Sequence, residues 1–402
     1  MINIQVRKEL EGHMKKVIKI ILKVLGVLVV IALLILLGVY IFVLRYPKLR
    51  ENPKIDKWYG VETAAMKSSE GGQYHALFKK GSENKVMVYF AGGGVSVNEQ
   101  TARNDTYNTK LVWPDMLANV TMNMGGLATD SDENPFGDWT VILFPYATGD
   151  FHCGIGEFKY TDKDGKEKIL YHNGYINFTE AMDQVLGYAG VEDAESVLVT
   201  GYSAGGWGAS ILANDVFANY FPYAENKTIL VDSSVALNDK WHSIATDVWQ
   251  SPEHISNRIV SNNLTYDSLA ALHEDFGDDV TILFDCSIRD GSLSQVQAYF
   301  RDEIIDENTG EMPVDEKDAD DFQQTLKEFV YQIKDELGAN VFIFDDYPWY
   351  EDPRNMTSHT IISTPYVFEK RNDTGMSISE WLQNAINGEK KDYGLELLDK
   401  KY

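Results

Sequence analysis

A chain of 402 residues with 44 % hydrophobic and 12 % aromatic residues can bury a large core, which excludes a disordered or fibrous protein. Thirty-six basic against 61 acidic residues give a formal charge of −25, which excludes a nucleic-acid partner. Two cysteines, Cys153 and Cys286, are too few for a disulfide-stapled domain, and a core of this size does not need one.

The N-terminus is an attachment. Val24 to Leu44 is an unbroken apolar run of 21 residues, about 31 Å long as a helix and enough to cross a bilayer. Arg7, Lys8, Lys15, Lys16, Lys19 and Lys23 precede it, and neither a small-x-small cleavage site nor a lipid-accepting cysteine follows. An uncleaved signal anchor with the rest of the chain outside is therefore expected. The expected organisation is a cytoplasmic tail over 1–16, a transmembrane anchor over 17–45, a stalk over 46–72 containing Pro47 and Pro53, and one folded domain over 73–402. Residues 46–402 hold 29 basic and 59 acidic residues, a formal charge of about −30.

Past the stalk, Val86–Phe90 reads as a strand running into Gly92-Gly93-Gly94, and Trp139–Phe144 as a second. Glu157–Thr161 and Glu167–Tyr171 form a hairpin turning at Lys163-Asp164-Gly165. The Asp162-x-Asp164 pair there lacks the remaining ligands of a calcium loop and is a turn, so no metal or other cofactor is expected. Helical spacing over Phe178–Tyr188 precedes a strand at Val197–Val199, and Gly206–Tyr220 is the helix after it. Thr228–Asp232, Val280–Asp285 and Asn340–Asp345 are short apolar runs of the kind that form buried parallel strands. Strands alternating with helices predict an α/β fold, a mostly parallel sheet with helices on both faces. The stretches 95–138, 233–279 and 301–339 are too long for simple connections and are expected as cap or helical decoration. Trp241, His242, Trp249, Trp349 and Tyr350 are candidates for pocket walls. With the usual strand order the strands ending at Phe144 and Phe284 lie about 19 Å apart, against the ~7 Å that bonded cysteines need, so both thiols are expected free.

The chemistry is concentrated at Gly201-Tyr202-Ser203-Ala204-Gly205, between the strand at 197–199 and the helix that follows. Strand, sharp turn and helix with a serine at the apex is a nucleophile elbow, where a side chain at either flanking glycine would collide with its neighbours. The helix start aims backbone N–H groups at whatever the serine attacks. A serine hydroxyl needs a histidine to take its proton, and the histidine needs a carboxylate. Of eight histidines only His359 follows the last strand. Asp232, Asp285, Asp290 and Asp345 all lie at or near strand ends, and spacing leaves Asp285 and Asp290 level.

Gly92-Gly93-Gly94, the stretch Pro145–His152, Gly201–Gly206, the stretch Asp290–Gln295 and Ser358-His359 fall in an order that resembles the pectin acetylesterase and Notum family of serine carboxylesterases. The resemblance covers about residues 75–365. It implies an α/β-hydrolase fold, a triad of Ser203, Asp290 and His359, and an oxyanion hole from the N–H groups of Gly94, Val95 and Ala204. The chain departs from relatives at Val95 and Ser96, where they carry tryptophan and cysteine. It departs also at Ala147, where a cysteine is usual, and at Thr360 after the histidine, so the disulfides of plant and animal members are absent.

The expected activity is cleavage of carboxylic esters through an acyl-enzyme on Ser203, with an acylated carbohydrate or other small ester as substrate and the membrane as the only other partner. Removal of acetyl groups from polysaccharide leads. Deacylation of a lipid or protein, or acyl transfer by the same triad, is the alternative within the chemistry, and a non-catalytic surface protein on a hydrolase scaffold is the alternative outside it.

Overall fold

The computed structural model describes residues 2–39, 46–109, 125–306, 309–345, 352–371 and 374–402. The chain divides into two compact units, Met1–Pro47 and Lys48–Tyr402. The first is built on one helix, α1 (Ile2–Val39). Within it Gly12–Gly38, 27 residues containing an 18-residue stretch of mean hydropathy 3.3, is long and apolar enough to cross a membrane by length and composition.

The second unit is organised by an eight-stranded sheet in the order β1-β2-β4-β3-β7-β8-β9-β10. Its strands are β1 (Trp58–Val61), β2 (Ala76–Lys79), β3 (Lys85–Phe90), β4 (Thr140–Phe144), β7 (Ser196–Tyr202), β8 (Asn226–Asp232), β9 (Val280–Ser287) and β10 (Asn340–Phe344). From β4 to β10 every pairing is parallel, while β1 and β2 add an antiparallel edge. The parallel strands read as continuous apolar runs because both of their faces are covered: every residue of β4 and β7 is buried. The hairpin β5 (Glu157–Thr161) and β6 (Glu167–Tyr171) stands apart as a two-stranded sheet and has the expected bounds.

Helix α2 (Gly174–Ala189) packs on β1 and β2, and α3 (Ala204–Asp215) packs on β3, β7 and β8. The remaining long helices are α4 (Leu264–Phe276), α5 (Gly291–Asp302), α6 (Glu316–Leu337) and α7 (Ile378–Ile386). All twelve residues of α3 are buried, so it is apolar and small all round rather than amphipathic.

Four expectations are corrected. The segment 46–72 is not a stalk: from Lys48 it belongs to the second unit, with Leu49 buried and β1 paired to β2. Four-residue strands, one interrupted by Gly60 and one ending in Lys79, carry too little periodic signal to be seen. The stretches 233–279 and 301–339 are in good part the ordinary crossovers of a parallel sheet, since α4 joins β8 to β9 and α6 joins β9 to β10. Trp241 and Trp249 are core rather than pocket wall: both are fully buried, and their indole N–H groups donate to Ala236 O and Ser96 O. His242 instead anchors its loop through Nδ1 to the carbonyls of Ser256 and Ile259. Trp349 and Tyr350 lie outside the described residues.

Strands β4 and β9 are four steps apart in the sheet, and Cys153 and Cys286 are free and buried as that spacing requires. Burial pushes both thiols above their ordinary range, which makes them poor nucleophiles.

Candidate active site

The turn between β7 and α3 places Ser203 at φ 54° and ψ −128°, a conformation that L-residues reach only under constraint. Its backbone supplies the constraint. Ser203 N–H donates to Asp232 O at 2.9 Å, and Ser203 O accepts from the Ser234 hydroxyl at 2.7 Å. Close approach explains the flanking glycines. A Cβ on Gly205 would stand 2.0 Å from Phe90 O, and one on Gly201 would stand 2.2 Å from Gly205 O.

His359 and Asp290 come from two loops stitched together. Asp290 bridges Thr357 in parallel fashion, with Thr357 N–H donating to Arg289 O and Gly291 N–H to Thr357 O. Asp290 caps α5, its Oδ1 accepting from the N–H groups of Ser292 and Leu293 at 3.0 Å each, while its Oδ2 accepts from His359 Nδ1 at 2.7 Å. The carboxylate is fully buried, whereas the imidazole keeps 22 % of its surface exposed. Burial alone would lower the histidine, but the charge and hydrogen bond of Asp290, with Asp232 behind, lift it above its ordinary value. Nδ1–H is thereby fixed toward Asp290 and Nε2 is left as the basic nitrogen.

Asp290 is thus the carboxylate on the histidine. Asp232 instead accepts from Ile361 and Ile362 N–H, and Asp345 from Tyr402 Oη and Lys400. Asp285 is buried with no hydrogen-bond donor on either oxygen among the described residues.

Ser203 and His359 line one cavity of about 830 Å³ together with Gly92, Gly93, Gly94, Val95 and Ala204. Gly94 faces Tyr107 in a bridge whose bonds leave from its neighbours, Asn108 N–H to Gly93 O and Val95 N–H to Thr106 O. The expectation for Val95 is therefore corrected: its N–H is engaged at 3.3 Å by Thr106 O. The N–H groups of Gly94 and Ala204 have no acceptor among the described residues.

Phe151 and Trp207, stacked with centroids 4.7 Å apart, line the cavity and were not singled out in the sequence. The signal existed: Trp207 is one helical turn beyond Ser203, and Phe151 lies inside the stretch 145–152. Phe151 and His152 both have positive φ: Phe151 N–H donates to Tyr146 Oη at 3.0 Å, and Asp150 ties down the residues on either side. Its buried carboxylate accepts from Thr148 Oγ1 and from the N–H groups of His152, Gly154 and Gly174. Burial nevertheless raises Asp150 to about 6, and lowers His152 to about 4 and His172 to about 3, so both of these imidazoles are neutral and structural.

A family model described as pectinacetylesterase matches residues 66–270, about half of the chain. The chain belongs to the pectinacetylesterase family. It is a carboxylic ester hydrolase. The match takes in Gly92–Gly94 and Ser203 and ends before Asp290 and His359. A search of curated proteins returned no match. Among solved structures, the Wnt deacylase Notum from Drosophila is similar to this pectinacetylesterase-family chain at a TM-score of 0.54 and 15 % identity, over 82 % of this chain and 92 % of that one. At that identity the likeness is one of fold.

Proposed function

We propose that this esterase acts outside the cell, anchored by α1, and removes acetyl groups from polysaccharide through an acyl-enzyme on Ser203. The observation that carries the reading is His359, held from behind by the buried Asp290, on the wall of the cavity that Ser203 also lines at its strained turn. His359 Nε2 takes the proton as Ser203 Oγ attacks the acyl carbonyl, and Asp290 steadies the imidazolium. The N–H groups of Gly94 and Ala204 receive the developing oxyanion. The proton then passes to the departing sugar hydroxyl, and a water activated by the same imidazole releases acetate and restores Ser203.

Charge argues for the sugar. Of the described residues lining the cavity none is lysine or arginine, while Asp105 and Glu311 are among them. A domain of about −30 thus meets an acidic pectin with repulsion that salt screens beyond ~10 Å. We expect faster acetate release from acetylated neutral polysaccharide than from acidic pectin, and added salt should speed the pectin reaction. Pectin as the better substrate, slowed by salt, would overturn this. Because Phe151, Trp207, Leu293, Val296 and Met312 also line the cavity, a longer acyl chain is the second reading. It wins if esters of medium chain length turn over faster than acetate.

The basic residues before the apolar run favour an inside N-terminus. Removing residues 1–45 should move the protein from the membrane fraction to the soluble one with its esterase activity intact. A mature protein that already lacks this segment would rule the anchor out.

A further inference from the structure

Asp232, the last residue of β8, lies in direct parallel register with Asp285 of β9, so their side chains leave the same face of the sheet. Both are fully buried. Asp232 bonds Ser203 and the segment just past His359, and it is not among the residues lining the substrate cavity. Its carbonyl accepts Ser203 N–H at 2.9 Å and the Ser234 hydroxyl that also holds Ser203 O. Its Oδ2 accepts the N–H groups of Ile361 and Ile362 at 2.8 and 2.9 Å, two and three residues past His359. What remains is unexplained by any mechanism step: both oxygens of Asp285 are buried with no donor among the described residues, and Asp232 Oδ1 has only the neighbouring Ser233 hydroxyl to turn to.

We propose that Asp232 is a positioning residue for His359, and that Asp285 is held beside it as a neutral acid sharing one proton, so that the pair shows the imidazole a single negative charge. Two adjacent buried carboxylates whose backbone donors, Ile361 and Ile362, reach a single oxygen cannot both ionise, because each would bear the desolvation of a charge and the repulsion of its neighbour. One proton held between them supplies a donor to oxygens that otherwise have none.

The surroundings support one charge and no more. Arg371 is the cation that reaches Asp285 and favours its ionisation, but its guanidinium also lies over the Phe344 ring and donates to Tyr366 O. Burial, then the charge of Asp232, outweigh it and hold Asp285 well above the carboxylate range. Burial raises Asp232 only to about 6, since the N–H groups of Ile361 and Ile362 favour its ionised form. Among the described residues, the other titratable groups facing the pair are Cys286, Tyr89 and Tyr202, all pushed up by burial and so neutral, and His359 with its own partner Asp290. Asp232 therefore carries the charge near neutral pH, and that charge raises His359.

The proposal rests on the triad reading for its kinetic test only. With a small acetate ester, Asp232→Asn should lower kcat about 10–100-fold. It should also move the acid limb of kcat/KM to lower pH by about one unit, because an imidazole that loses a nearby negative charge loses affinity for its proton. Asp285→Asn should leave that limb where the wild type has it. A purely structural Asp232 would lower kcat without moving the limb and would overturn the positioning role. An Asp285→Asn limb displaced downward like that of Asp232→Asn would mean that Asp285 is ionised, and would overturn the shared proton. Infrared spectroscopy of wild-type protein carrying 13C-carboxyl aspartate decides the same point without catalysis or variants. At about pH 8 one protonated aspartic acid band is expected, and its absence sinks the neutral acid. If Ser203→Ala keeps full activity the triad reading fails, while the infrared result still stands on its own.

Discussion

Alanine at Ser203 is expected to lower turnover of a small acetate ester by about 10⁴–10⁶-fold and to abolish labelling by a fluorophosphonate, with the domain still folded. The fold survives because the bonds that hold the turn belong to the backbone of Ser203, through Asp232 O and Ser234 Oγ, and alanine keeps that backbone. His359→Ala should cost about as much, and the double variant little more, since attack and proton transfer are one event and removing either partner removes both. Asp290→Asn should follow them: its amide cannot offer the charge that stabilises imidazolium, although the cap on Ser292 and Leu293 can be kept. Asp285→Asn should remain active. The kinetics of these five proteins, with circular dichroism as the check on folding, settle the assignment, and an inactive Asp285→Asn beside an active Asp290→Asn would reverse it.

Alanine at Gly205 is expected to destabilise the domain by about 2–4 kcal/mol and to remove activity together. The added Cβ would stand 2.0 Å from Phe90 O, 2.5 Å from Phe90 C and 2.6 Å from Ala91 O. These are backbone atoms of a central strand, so the first turn of α3 must lift instead. That movement carries Ala204 N–H away from Gly94. The control is Gly187→Ala on α2, where nothing lies within 4 Å of the new carbon. It should raise stability by about 0.5–1 kcal/mol through helix propensity. Denaturant unfolding of the two variants reads the contrast, and a Gly205→Ala protein as stable as the wild type would refute the packing argument.

The parallel half of the sheet and the elbow were legible because their information is local. The apolar runs 228–232 and 280–285 announce buried strands, and a serine between glycines after such a run announces a turn. Position along the chain was enough to single out His359. The choice between Asp285 and Asp290 was not legible from spacing, since both lie near the end of the same strand. What separates them is which loop crosses above, and the bridge from Asp290 to Thr357 spans 67 residues of sequence. The engagement of Val95 N–H by Thr106 O was hidden for the same reason: a backbone group says nothing in the sequence about its partner. The antiparallel edge escaped because its stability comes from pairing with β4 rather than from its own residues. Helix α7 was missed although Ser377 and Glu380 form a capping box with an apolar face behind it, a signal that was present and went unread.

The four bonds to Asp150 bear on how the cavity recognises anything. Phe151 sits at an unfavourable φ with its N–H on Tyr146 Oη, beside a carboxylate whose bonds are already made before a ligand arrives, and its ring is already stacked on Trp207. Ordering a side chain at a binding surface costs about 0.5–1.5 kcal/mol when it happens on association. Here that loss of freedom falls on folding, so association starts from a rigid wall. Selectivity should then act as a sieve on shape, with poorly fitting acyl groups failing through slow capture rather than through loose complexes that later rearrange.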